Sequence, residues 1–123
     1  MHTFLNDHPK IVNVIHPTLM DGEFRRRADT YLKGSYGGLV GFELKEGLEA
    51  GKRFFDSLKM FYHVANFGDS RSLAIHPAST THSQLSAEEQ EAISVTQGYV
   101  RLSVGIEHID DIQADLAQAL DAA

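Results

Sequence analysis

Short segments typical of β-strands alternate along the chain with segments that have the periodicity of α-helices. The strand-like segments are rich in branched and aromatic residues and are bounded by Gly, Pro or Asp: 11–16, 37–44, 60–68, 72–77 and the segment around Arg101. Helix-like segments lie between and after them, at 21–32, 46–58, 86–93 and 108–120. This order predicts an α/β fold of two layers, with a small, mostly antiparallel sheet of about five strands and helices on one face.

Two of the predicted helices have apolar residues at helical spacing. Asp21 is placed to cap the helix at 21–32, whose apolar side would consist of Phe24, Ala28, Tyr31 and Leu32. The helix at 46–58 has a stripe formed by Leu48, Gly51, Phe55 and Leu58. On its polar side Glu49 is placed to pair with Arg53 one turn later. Both helices are therefore predicted to cover the sheet.

The last two helices carry signals at their N-termini. Ser86 followed by Glu89 has the order of a capping box, which predicts a brief helix there. The C-terminal helix has Asp110 and Asp111 near its positive N-terminus. Its predicted buried face consists of Ile109, Ile112, Leu116 and Leu120.

Length, charge and cysteine content restrict the class of protein. With 123 residues, 42% of them hydrophobic, the chain is predicted to be one domain, residues 1–123. The net charge is −6 and the only basic cluster is 25–27, so we expect no nucleic-acid partner. There is no cysteine, and no apolar run approaches the roughly 20 residues of a membrane helix. We therefore expect no membrane partner and a soluble, cytoplasmic protein.

Arg101 is the only basic residue in 86–123, a stretch with eight acidic side chains. Because side chains alternate along a strand, Val100, Leu102, Val104 and Ile106 are predicted to face the core. Arg101 would lie on the opposite face with Tyr99, Ser103 and Gly105. A guanidinium in such a place either pairs with an acidic side chain of the same chain or binds an anionic ligand. Internal ion pairs are the commoner case, and the residue pattern by itself leaves both alternatives open.

Three other patterns are too incomplete to predict a site. His63, His76 and His82 have no regular spacing and no cysteine partners, so we predict no metal site. The stretch GDSRS has Ser72 where a nucleophile elbow needs its second glycine, which argues against a serine hydrolase. The glycine-rich GSYGGLVG matches neither a dinucleotide-binding nor a P-loop motif, and it is better explained as a turn into a strand.

Three long stretches taken together resemble a known family. They are GGLVGFELKEGLEAGKRFFDSLKMFYHVA, NFGDSRSLAIHPASTTHSQLS and YVRLSVGIEHIDDIQADLAQAL. In this order they are similar to the C-terminal domain of the pyridoxal-phosphate (PLP) enzymes of cysteine and methionine metabolism, and most similar to the O-acetylhomoserine sulfhydrylase group. The resemblance implies the C-terminal, substrate-binding domain of the aspartate-aminotransferase-like fold. The implied activity is a transferase of methionine and cysteine biosynthesis (trans-sulfuration), with cystathionine or methionine γ-lyase, cystathionine synthase or a non-catalytic remnant as alternatives.

The resemblance also implies roles for three residues. Arg101 matches the family arginine that holds the α-carboxylate of the substrate, which favours the ligand alternative over the internal ion pair. Asn66 matches a position near that carboxylate where the sulfhydrylase group has asparagine and the lyases have serine. Thr81 matches a threonine that lines the pocket beside the arginine. For Asn66 and Thr81 a purely structural hydrogen bond is an equally good explanation.

The resemblance covers only about the last third of the usual family polypeptide. The family cofactor is PLP, but none of the five lysines here stands in a context like that of the Schiff-base lysine. We therefore expect the chain to be a fragment that lacks the cofactor domain, binds no PLP as a defined Schiff base and is inactive alone. In the whole enzyme the partner would be an amino-acid substrate like O-acetylhomoserine. Because family members form homotetramers, and because losing a partner domain exposes apolar surface, we also expect self-association.

Overall fold

A mixed sheet of five strands is the centre of the fold. The computed structural model describes residues 1–123. Its strands are β1 (Ile11–Ile15), β2 (Leu39–Leu44), β3 (Tyr62–His63), β4 (Leu73–Ile75) and β5 (Tyr99–Ser103). Their order in the sheet is β1-β2-β5-β4-β3, and every neighbouring pair is antiparallel except β3 and β4. The predicted α/β class and the five-stranded, mostly antiparallel sheet are confirmed.

Five helices and two short 3₁₀ turns connect the strands. The helices are α1 (His2–Asn6), α2 (Gly22–Leu32), α3 (Gly47–Ser57), α4 (Ala87–Ala92) and α5 (Ile109–Ala122). The 3₁₀ turns are Pro17–Leu19 and Pro77–Ser79. The longest helix has 14 residues, and none of the helices combines the length and apolar character required to cross a membrane.

Helices α3 and α5 cover one face of the sheet. Alternate residues of the two central strands point toward these helices: Val40, Phe42, Leu44, Val100 and Leu102. The helices contribute Phe54, Phe55, Ile112, Leu116 and Leu120 to the same core. The rings of Phe42 and Phe54 meet edge to face with their centroids 5.4 Å apart. Because the apolar residues recur with period two in the strands and three to four in the helices, both layers present one continuous apolar surface.

A buried carboxylate fixes α5 against the segment that follows α3. Asp115 accepts backbone hydrogen bonds from Lys59 at 3.0 Å and Met60 at 2.8 Å. One turn later, Gln118 Nε2 donates to the carbonyl of Ser57 at 2.7 Å. These bonds satisfy polar groups at the end of α3, which would otherwise be buried without partners.

Helix α2 differs from its prediction because it packs against the 3₁₀ turn Pro17–Leu19 and contributes no residue to the core. The helix is present, but none of its residues is buried, and Phe24 and Tyr31 are 69% and 77% exposed. The side chain of Asp21 makes no capping hydrogen bond. Helical periodicity shows which side of a helix is apolar, but it does not show whether another element lies opposite that side.

The predictions at the end of β5 also need correction. Ile106 was predicted to face the core and is 86% exposed, because β5 ends at Ser103 and the chain turns away. Ile109 is 44% exposed at the start of α5, whose buried side begins at Ile112. The segment 60–68 forms only the two-residue strand β3, and the remainder is a loop.

Of two side-chain pairings predicted within helices, the capping box of α4 is confirmed and the ion pair in α3 is wrong. The capping box is present, since Glu89 N donates to Ser86 Oγ at 3.3 Å and Ser86 N donates to the Glu89 carboxylate at 2.8 Å. The predicted pair between Glu49 and Arg53 is wrong. Glu49 pairs instead with Lys52 at 2.9 Å, and Arg53 pairs with Glu46 at 3.2 Å.

Candidate functional site

Arg101 lies on the face of the sheet opposite α3 and α5. Its strand neighbours Val100 and Leu102 point into the core, so alternation along β5 places Arg101 on the second face, as predicted. Nη2 of Arg101 donates to the carbonyl of Ala65 at 2.5 Å and to that of Asn66 at 3.4 Å. The guanidinium carbon is 5.9 Å from the centre of the Phe67 ring. The loop that follows β3 therefore holds one side of the guanidinium.

No carboxylate balances the charge of Arg101. The ion pairs of the chain all involve other basic residues, so the internal ion pair that the sequence left open is absent. The Nε–H group of Arg101 is buried and has no hydrogen-bond partner. Leaving a buried donor without a partner costs about 1–3 kcal/mol, and more when the group is charged. An anionic ligand would remove that cost if it accepted a hydrogen bond from this Nε–H group.

Two neighbouring cavities open on the second face beside Arg101. The first has a volume of about 380 Å³, and its lining includes Arg101, Tyr99, His16, Tyr36 and Leu39. The second, of about 300 Å³, shares Tyr36 and Leu39 with the first and extends to Phe67 and Gly68. The two cavities adjoin at Tyr36 and Leu39, and together they are called the groove.

The loop after β3 is pinned to the sheet by polar contacts. The backbone N–H of Gly68, a residue with φ +74°, donates to Ser103 Oγ at 3.1 Å. Further along, Ser72 donates from its N–H at 2.7 Å and from its hydroxyl at 2.8 Å to the Glu107 carboxylate. These bonds keep the carbonyls of 65 and 66 next to the guanidinium. Sequence reasoning missed this anchoring, since backbone carbonyls leave no signal in residue type.

Of the three predicted site residues, the structure brings two together. Asn66 contacts Arg101 through its backbone carbonyl, while its side chain is exposed and makes no hydrogen bond within the chain. Thr81 follows the 3₁₀ turn after β4, and its hydroxyl is hydrogen-bonded to His82 Nδ1 at 2.9 Å. No hydrogen bond joins Thr81 to Arg101. The ligand contacts predicted for Arg101, Asn66 and Thr81 stay predictions.

The three histidines considered for a metal site have separate environments. His63 stacks on Phe55 with ring centres 4.0 Å apart, and His82 is bonded to Thr81. His76 is completely buried, with Nε2 2.9 Å from the carbonyl of Gln97 and Nδ1 2.7 Å from Ser79 Oγ. Burial lowers the pKa of His76, which keeps the imidazole neutral. No group of three or more His, Cys, Asp or Glu side chains is placed to hold a metal ion.

The fold is that of an α/β protein in which a guanidinium without a carboxylate partner lines a cavity on the open face of the sheet. The family model described as "Cys/Met metabolism PLP-dependent enzyme" matches residues 1–121. The chain therefore belongs to the PLP-dependent enzyme family of Cys/Met metabolism, and the family resemblance found in the sequence is confirmed.

Individual relatives agree with the family assignment. The chain is 52% identical to an O-acetyl-L-homoserine sulfhydrylase of Leptospira meyeri over 95% of its own length and 27% of that protein. It is 46% identical to an L-methionine gamma-lyase of Fusobacterium nucleatum subsp. polymorphum over 96% of its length and 30% of that protein. The chain thus spans less than a third of the relatives that it matches.

A solved structure from Campylobacter jejuni has the same fold. That protein, assigned as an O-acetylhomoserine (thiol)-lyase, superimposes with a TM-score of 0.86 at 45% identity, over 98% of this chain and 28% of that one. Its crystal structure contains N′-pyridoxyl-lysine-5′-monophosphate, a lysine adduct of the family cofactor. The cofactor assignment made for the family from the sequence is confirmed.

The residues of the groove do not provide an attachment point for PLP. A Schiff base needs a lysine, and no lysine lines either cavity beside Arg101. Lys10, for example, donates through Nζ to the carbonyls of Leu120 and Ala123 at the opposite end of the chain. The groove instead offers a guanidinium and hydroxyl groups, which suit the anionic part of a small molecule.

Proposed function

We propose that this chain is the C-terminal, substrate-carboxylate-binding domain of a PLP-dependent transferase that exchanges the acetoxy group of O-acetylhomoserine for sulfide or a thiol. The observation that supports this most directly is the Arg101 guanidinium, which lines a cavity and lacks a carboxylate partner. A planar fork of N–H donors matches the two oxygens of a carboxylate. The 52% identity to a sulfhydrylase supports the choice of reaction over the γ-lyase alternative.

In this proposal the chain orients the substrate. The family cofactor supplies an electron sink for chemistry next to the α-carbon of an amino acid. Arg101 would hold the α-carboxylate through donors that the carbonyls of Ala65 and Asn66 leave free. Those carbonyls restrict the rotation of the guanidinium, so the bound amino acid would have a fixed direction. Fixed geometry of this kind is a major contribution to enzymatic rates. The side chains of Asn66 and Thr81 are proposed as further contacts to the same substrate.

A segment exchange tests the proposed reaction. The matched 118-residue segment of the Leptospira meyeri sulfhydrylase would be replaced by this chain, with the unmodified sulfhydrylase as the control. We expect the hybrid to bind PLP and to release acetate from O-acetylhomoserine in the presence of sulfide. A hybrid that folds and binds PLP but releases no acetate would contradict the proposed reaction. Release of an α-keto acid from methionine instead would favour the γ-lyase.

The isolated chain is expected not to form a defined Schiff base with PLP. Because no lysine lines the groove, imines would form only at scattered surface lysines. The measurement is reduction of a mixture of chain and PLP with borohydride, followed by peptide mapping. One stoichiometrically labelled lysine would show this prediction to be wrong.

The isolated chain is also expected to self-associate through a second copy. The predicted cause is apolar side chains that nothing covers, among them Phe24, Tyr31 and Val12, which are 69%, 77% and 61% exposed. Sedimentation at increasing protein concentration measures this. A single monomeric species at the highest concentration would contradict it.

A further inference from the structure

The ring of Tyr99 occupies the space above Gly41, directly beside Arg101. Gly41 is the register partner of Arg101 between β2 and β5, and Tyr99 lies two residues before Arg101 on the same face. A Cβ atom added to Gly41 would be 2.6 Å from the Tyr99 hydroxyl oxygen and 2.9 Å from its Cε2. An aromatic side chain can reach a diagonal neighbour on the adjacent strand. The phenolic oxygen of Tyr99 therefore lies over Gly41, the strand partner of Arg101, on the second face.

The hydroxyl of Tyr99 has no partner within the chain. Tyr99 is half-buried and lines the cavity beside Arg101, yet its oxygen makes no hydrogen bond with protein atoms. Tyr36 lines the same cavity, and its hydroxyl donates to Asp29 at 2.6 Å. The Tyr99 oxygen is not itself buried, since Arg101 Nε is the only buried side-chain polar atom without a partner, so the hydroxyl is accessible to a ligand. Burial raises the pKa of Tyr99, with Arg101 opposing that rise, so the hydroxyl stays protonated and can donate at neutral pH.

We propose that Tyr99 is a further substrate-binding residue, whose hydroxyl donates to the carboxylate held by Arg101. This inference rests on the proposed function, because it takes the ligand of Arg101 to be a carboxylate. A carboxylate can accept about four hydrogen bonds, so the fork of a guanidinium leaves room for a phenol. Gly41 is part of this arrangement, since any larger side chain there would displace the ring.

The test compares the acid and the methyl ester of one ligand on the purified chain. Binding of O-acetyl-L-homoserine and of its methyl ester would be measured by titration followed by NMR. Tyr99→Phe removes only the hydroxyl, and we expect about tenfold weaker binding of the acid, as for loss of a hydrogen bond to a charged group. Binding of the ester should not change. Tyr31→Phe, at a residue 77% exposed, is the matched control and should bind both ligands like the original chain.

Two further variants separate this inference from the proposed function. Gly41→Ala keeps the hydroxyl but occupies the space of the ring, and it should also weaken binding of the acid. The role of Tyr99 is overturned if Tyr99→Phe or Gly41→Ala binds the acid normally while Arg101→Lys binds it weakly. That outcome would leave the proposed function intact. Equal weakening of acid and ester by Tyr99→Phe also overturns it. If the original chain does not prefer the acid, the inference and the proposed carboxylate binding both fail. Thermal unfolding of each variant confirms that it is folded.

Discussion

The two faces of the sheet are built in different ways. On the face covered by α3 and α5, the central strands contribute side chains such as Phe42 and Leu102 that are fully buried. On the second face the same strands carry Gly41, Tyr99 and Arg101, beside two open cavities. One face thus stabilises the fold by burying apolar area, while the other leaves a charge and a hydroxyl free for a ligand.

If the proposed function is correct, stability and ligand binding can be changed separately. Since strand residues alternate between the faces, Val100 contributes to the core, whereas its neighbour Arg101 would contribute to the proposed ligand binding. Substitutions on the covered face should therefore lower stability, and those on the second face should lower affinity for a ligand.

The largest effect is expected from Phe42→Ala. Phe42 is fully buried and contacts Phe54 edge to face, so truncation leaves a cavity that α3 and β2 cannot close. Substitutions of this kind cost about 3–5 kcal/mol, a large fraction of the 5–15 kcal/mol that stabilises a typical domain. Urea unfolding measures the loss, with Phe67→Ala on the second face, where Phe67 is 69% exposed, as the control. Equal losses for the two variants would contradict the separation of the faces.

Much of the covered face could be predicted from the sequence. Periodicity predicts the burial of Phe55 in α3, of Leu58 directly after that helix, and of Val100 and Leu102 in β5. Each of these apolar residues meets an opposing layer. The same reasoning was wrong for Phe24 and Ile106, which are apolar but exposed. Whether an apolar side is covered depends on contacts distant in the chain, and local spacing does not encode them.

A smaller loss, confined to catalysis, is expected from changing Arg101 in the hybrid enzyme. Arg101→Ala should cost on the order of 2–5 kcal/mol in the transition state, or about thirty-fold or more in kcat/KM. Arg101→Lys keeps the charge but loses the fork, so we expect a smaller defect that is still clear. The control is Arg53→Lys on α3, whose exposed pair with Glu46 contributes little.

Stability must be measured in the same Arg101 variants. Removing the guanidinium removes the unpaired Nε–H but also the hydrogen bonds to the carbonyls of Ala65 and Asn66, so the melting temperature should fall only modestly. A loss of melting temperature with normal kcat/KM in the folded enzyme would show that Arg101 is structural. That result would end the carboxylate-binding proposal and the distinction between the two faces.

The second face was only partly predictable. The position of Arg101 opposite the core follows from alternation in β5, and the family resemblance supplied the ligand. The anchoring carbonyls of Ala65 and Asn66 and the placement of Tyr99 over Gly41 depend on a loop conformation and a cross-strand diagonal. Both are set by tertiary packing, so residue types alone could not show them.

The smallest effect is expected from two buried histidines, one on each side of the sheet. His76 contacts Gly51 of α3, and His16 lines the cavity of the second face. Burial is the main cause that lowers the pKa of both below 6.5. Between the lowered value and 6.5 the unfolded chain therefore binds more protons than the folded one. The stability that these neutral histidines contribute should be complete above pH about 6.5 and fall as the pH drops below it, before most carboxylates titrate near pH about 4.

Urea unfolding between pH about 7.5 and 5.5 measures this fall. Because His76 is completely buried and His16 is 5% exposed, His76→Gln should remove more of the pH dependence than His16→Gln. If the free energy of unfolding of His76→Gln falls with pH as steeply as that of the original chain, the histidine on the covered side does not control the loss of stability in acid.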